Sequence, residues 1–98
     1  MTTAHDPFHA GEILLEEFLT PMGITQYCLA QTMSVPARRI NEIAHGKRAI
    51  SRNTALRLSR ALGTSDRFWI NVQSRYDLDV AVSKHHAELD QIVPLVST

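Results

Sequence analysis

Apolar positions fall in short periodic runs, separated by Gly, Pro and small polar residues. In the first run Ile13, Leu14, Leu15 and Phe18 gather on one side, with Glu12, Glu16 and Glu17 on the other. That spacing predicts an amphipathic helix over 11–19, stopped by Pro21 and Gly23. Thr25 is placed to cap a second helix starting at Gln26, its hydroxyl accepting an unpaired backbone N–H of the first turn. Leu29 and Met33, four apart, share one face of that helix, and Val35 plugs the turn after it. Ile40 and Ile43, three apart, share the inner face of a third helix. Ala30 is small where the two helices must cross closely. Pro36 suits the first helical position, because its missing N–H would be unpaired there anyway. Gly46 is expected as a left-handed C-cap. Ser34 occupies a turn position where Gly would take positive φ freely, so some strain or an altered turn is expected.

A fourth helix begins at Ser51 or Asn53, with Ala55, Leu58, Ala61 and Leu62 inside, and ends at Gly63. Ser65 is expected to cap a fifth, with Asp66 favourably near its positive end. Phe68, Trp69, Val72, Tyr76 and Leu78 give this helix a large apolar surface, which serves either the core or self-association. A short further helix over 84–92 would end before Pro94. No run reads as a strand. The pattern is all-α: a mobile arm over 1–9, a five-helix domain over 10–82 and a tail over 83–98.

The spacing over residues 26–47 is that of a helix-turn-helix. With Ile40 and Ile43 turned inward, the third helix presents Ala37, Arg38, Asn41, Glu42 and His45 outward, as a recognition helix does toward the DNA major groove. Net charge is zero, which by itself argues against a nucleic-acid binder, but the distribution reverses that reading. Residues 25–60 carry Arg38, Arg39, Lys47, Arg48, Arg52, Arg57 and Arg60 against Glu42 alone, seven cations to one anion. The flanks are acidic, so the basic charge lies on the helix-turn-helix.

Roles follow from side-chain chemistry. Gln26, at a helix N-terminus, is expected to reach a phosphate or a base edge. Arg38 suits a bidentate contact to guanine. Glu42, one turn on, accepts from cytosine N4 or orients Arg38. Asn41 reads adenine or bonds phosphate, and the Ala37 methyl suits thymine. Arg39, His45, Lys47 and Arg48 are expected to hold phosphates, which set position rather than sequence.

Other chemistry is poorly represented. No Gly-rich phosphate loop, paired carboxylates or nucleophile motif points to an enzyme. His5 and His9 have a metal-like spacing, but Pro7 between them opposes a helix, and the His85-His86 pair reads as solvated. No metal or other cofactor is expected. The lone Cys28 excludes an intramolecular disulfide and fits a reducing compartment. No apolar run approaches the roughly 18 residues of a membrane span, and the N-terminus shows no secretory signal.

Five pieces carry a resemblance: GEILLEEFL at 11–19, GITQYCLA at 23–30, RINEIAHGKRAIS at 39–51, TALRLSRALGTS at 54–65 and FWINVQSRYDLDVA at 68–81. With them the chain resembles the HigA/VapI-type antitoxins of the Cro/C1 (XRE) helix-turn-helix class. The pieces at 69–73 and 76–78 are the most specific to that group. Ala10 and Ser34 depart from its pattern, where Pro and Gly are common. The resemblance implies a lambda-repressor-like five-helix fold and a cytoplasmic homodimer, whose interface is expected at Phe68, Trp69, Val72 and Tyr76. It implies repression of the chain's own toxin–antitoxin operon through its operator. It further implies neutralisation of a RelE-like HigB toxin that cleaves mRNA. The family's DNA face maps onto Gln26, Ala37, Arg38, Asn41 and Glu42. The alternative is a stand-alone XRE-class regulator without a toxin partner.

Overall fold

The computed structural model describes residues 9–96, all helix, turn and irregular backbone. The expectations for residues 1–8, including His5, lie outside them. The first helix, α1, is longer than 11–19. It runs unbroken over residues 10–22, as an α segment Ala10–Ile13, a π segment Leu14–Leu19 and a closing turn Thr20–Met22. Pro21 sits inside that last turn rather than before a break. Proline lacks an N–H and its ring crowds the carbonyl four residues back, so a widened turn accommodates it. The widening is visible where the Thr20 N–H bonds Leu15 O. Gly23, at φ 67°, then ends the helix.

Helix α2 is Gln26–Met33, α3 Ala37–Ala44, α4 Arg52–Leu62 and α5 Phe68–Asp90. Thr25 caps α2 as expected, accepting from the Cys28 N–H at 3.0 Å. Of the two candidate caps for α4 it is Ser51 that accepts the Thr54 N–H. Two caps differ. Pro36 is the extended residue before α3, not its first helical one. Helix α5 begins at Phe68 without a side-chain cap, because residues 65–68 form a turn in which the Ser65 carbonyl accepts the Phe68 N–H. Asp66 pairs instead with Arg60, at 3.3 Å.

The core centres on Leu14, Leu29, Ile40, Ile43, Leu58 and Trp69, at most 2% exposed. Each contributes roughly 1.5–3 kcal/mol relative to an exposed position. Trp69 corrects an expectation. It is 0% exposed, so it offers no surface to a partner. Its ring lies 5.0 Å from both Phe18 and Phe68, and this aromatic cluster fastens α5 to α1. Phe68, Val72 and Tyr76 are only half-buried.

Helix α5 also overruns the expected boundary at residue 82. It is kinked at His85 (φ −116°, ψ 16°), and the segment from there to Asp90 lies where the short helix over 84–92 is expected, joined to α5 rather than separate from it. Every described residue from 77 on is exposed. The projecting rod stretches the molecule to 49 Å, with a radius of gyration of 16.2 Å, against about 13 Å for a compact chain of this length.

Candidate nucleic-acid interface

Helix α3 is fixed by what lies beneath it. Ile40 is 0% and Ile43 1% exposed, and Ala44 is buried beside them. Helix α1 crosses so closely that a Cβ on Gly11 would lie 1.8 Å from the Ile43 carbonyl oxygen. Ala30, 2% exposed, gives the same closeness on α2. With the inner face committed, Ala37, Arg38, Asn41 and His45 stand exposed on the other side.

The turn before α3 is held by backbone bonds. Ser34 adopts φ 58°. Its N–H bonds Gln31 O at 3.1 Å and the Val35 N–H bonds Ala30 O at 3.0 Å, a Schellman closure of α2. Arg57 Nη1 reaches from α4 to donate to Met33 O at 2.6 Å, satisfying a carbonyl the helix end leaves free. After α3 the same closure recurs at Gly46 (φ 73°), with Gly46 N–H on Ile43 O and Lys47 N–H on Glu42 O at 2.8 Å.

The expected site residues form two groups. Asn41 Nδ2 donates to Gln26 Oε1 at 3.2 Å, joining the start of α2 to the middle of α3. Glu42 is bound on both sides: Arg48 Nε donates to Oε1 at 2.9 Å, and Arg38 Nε lies 3.5 Å from Oε2. The hydrogen bond from Arg48 holds the Glu42 carboxyl below its ordinary value; partial burial opposes this, and Arg38 and Lys47 add to it. The Arg38 side chain is 84% exposed and that of Glu42 29%, so the guanidinium stands out from a seated carboxylate. His45 Nδ1 is 2.8 Å from Asn41 O on its own helix. Lys47 is exposed beyond the cap, Arg39 half-buried.

One anchoring residue has no counterpart in the sequence reading. Gln73, 7% exposed, accepts the Ile50 N–H at 2.8 Å and donates to Asp77 at 2.9 Å. It ties the loop after α3 to α5. The available signal was its position four residues after Trp69, which puts an amide on the face that enters the core. Among the described residues no cluster of three metal-binding side chains occurs. His9 lies 3.7 Å from Glu12, with its ring against Gly46 and Tyr76. His85 pairs with Glu88 at 2.7 Å rather than standing free. No helix there is long and apolar enough to cross a membrane.

The family model described as Helix-turn-helix matches residues 15–69, more than half of the chain and all of α2 to α4. The chain belongs to the Cro/C1 (XRE) helix-turn-helix family. That family comprises DNA-binding regulators, not enzymes. Within it, virulence-associated protein I of Dichelobacter nodosus is 44% identical over 87 residues, covering 89% of this chain and 80% of that protein. Antitoxin HigA-1 of Vibrio cholerae serotype O1 is 34% identical over 93 residues, covering 95% and 88%. The structure of Pseudomonas aeruginosa antitoxin HigA with the higBA promoter superposes with a TM-score of 0.85 at 40% identity, over 92% of this chain and 99% of that one. The helix-turn-helix chain is thus of the HigA/VapI type in both sequence and fold.

Proposed function

We propose that this helix-turn-helix protein is a HigA-type antitoxin that binds the operator of its own operon and represses it. It neutralises a RelE-like, mRNA-cleaving toxin encoded beside it. The observation that carries the DNA part is the rotation of α3: Ile40 and Ile43 are buried, leaving Arg38 and Asn41 outward on an otherwise basic surface. The relative solved with its promoter supports the same use of the same fold.

In this reading Arg38 pairs with a guanine. The Gln26–Asn41 amide pair meets an adenine edge or a phosphate, and the Ala37 methyl meets thymine. Glu42 orients Arg38 or accepts from cytosine. Arg39, His45 and Lys47 hold phosphates. One module spans few base pairs, so a homodimer reads two half-sites roughly 34–36 Å apart. The interface lies on α5, using Phe68, Val72 and Tyr76 where they remain exposed and, beyond them, Leu78, Val82 and Leu89. Leu78 and Val82, four apart, share one face, Leu89 lies past the kink at His85, and Leu78 is 64% exposed. The protein works in the cytoplasm, beside its DNA and its toxin.

The test is a gel-shift titration on the DNA upstream of the chain's own gene, with Arg38→Ala beside the parent. Arg38→Ala is expected to lose about 1–3 kcal/mol of discrimination at one base pair per half-site. Unchanged affinity for every sequence contradicts the assignment. Co-expression with the neighbouring gene tests the toxin: a stable co-purifying complex is expected, and its absence leaves a stand-alone regulator.

A further inference from the structure

We infer that Arg48 is a positioning residue for sequence recognition, acting through Glu42 on Arg38, rather than one more phosphate contact. The inference deepens the reading above and rests on it. Arg48 lies outside α3, yet its Nε donates to Glu42 Oε1 at 2.9 Å while the other carboxylate oxygen faces Arg38 Nε at 3.5 Å. The three side chains form one chain of charge, cation–anion–cation, along a concavity that Pro36 and Arg39 complete.

The backbone holds this arrangement in place. Gly46 turns the chain back at φ 73°, and the Lys47 N–H locks onto Glu42 O. Two residues past Arg48, the Ile50 N–H is pinned by buried Gln73. Arg48 is therefore braced between two anchors and delivered over Glu42. An ordinary surface arginine would sample many rotamers, at a considerable entropy cost to any single pose.

Glu42 has no local reason to be where it is. It sits in the last turn of α3, where the helix dipole disfavours an anion, and on a face proposed to approach phosphates. Arg48 offsets both effects, which leaves the second carboxylate oxygen to engage Arg38. With Nε so engaged, the terminal nitrogens of Arg38 remain to donate to O6 and N7 of one guanine.

The test measures binding of the parent, Arg48→Met, Glu42→Gln, Arg38→Ala and the Arg38→Ala/Arg48→Met double variant. Each is titrated on the upstream operator duplex and on duplexes substituted at each base pair in turn, over a series of salt concentrations. Arg48→Met is expected to cut discrimination at the same base pair that Arg38→Ala affects, several-fold against the roughly tenfold or larger loss in Arg38→Ala. It leaves other base pairs and the salt slope unchanged, and it adds nothing in the Arg38→Ala background. Glu42→Gln shows a loss at that same pair. Discrimination is a ratio within one preparation, so a partly unfolded sample does not alter it. If Arg48→Met instead weakens all sequences evenly and lowers the salt slope by about one, Arg48 is a phosphate contact and the inference fails. If Arg38→Ala loses no discrimination anywhere, the guanine assignment fails first, and the inference with it.

Discussion

Ser34 shows most plainly how a single residue shapes this site. It is the only non-glycine with positive φ among the described residues, at 58°. An L-residue there brings its Cβ toward its own following carbonyl, a strain of roughly 1–2 kcal/mol. Two backbone bonds and the Arg57 guanidinium on Met33 O hold the turn regardless. Ser34→Gly removes the strain and is expected to raise stability by a few tenths to about 1 kcal/mol, the gain reduced by the greater freedom of unfolded glycine. Urea denaturation at unchanged m-value reads it; a destabilised variant shows that the serine hydroxyl matters more than its backbone. Glu42 adds a second residue-scale point. The only anion in the basic middle of the chain is not a flaw in a DNA-binding face, because two arginines share it.

At the scale of elements, legibility followed locality. The helix-turn-helix was readable because Leu29, Met33, Ile40 and Ile43 repeat at helical spacing and Thr25 and Gly46 mark its borders. The outward face followed from the inward one, so the exposure of Arg38 and Asn41 was readable too. What escaped depended on partners distant in sequence. The continuation of α1 through Pro21 needs a π turn that no local spacing signals. The aromatic stripe of α5 could not be divided between core and surface until Phe18 was seen to receive Trp69. The anchoring role of Gln73 was not legible, since its partner Ile50 is 23 residues away. The pairing of Arg48 with Glu42 was not legible, because the return of Arg48 over that carboxylate depends on the closure at Gly46. The short helix expected past residue 84 is present, but the extension of α5 over 82–84 that joins it was not legible, because those residues have no core to pack on and carry no burial pattern.

At the scale of the molecule, a compact reading head carries a long exposed rod. Leu78, Val82 and Leu89 on that rod stay in contact with water in a single chain, an arrangement that favours a second copy. Val82→Asp with Leu89→Asp is expected to shift sedimentation from dimer to monomer while leaving the helical circular dichroism signal of the head largely intact. Binding to a full operator should fall far more than binding to a half-site. A double variant that stays dimeric places the interface elsewhere on the chain.

The outward face of α3 is the claim on which the functional account depends, and methylation protection of the upstream DNA probes it most directly. Dimethyl sulfate attacks guanine N7, which lies in the major groove. The parent protein should shield guanines in two half-sites about one helical turn apart, and Arg38→Ala should unmask one guanine in each while the rest of the footprint persists. No protection of any N7 on DNA that the protein demonstrably binds, or a pattern identical in the variant, contradicts the account.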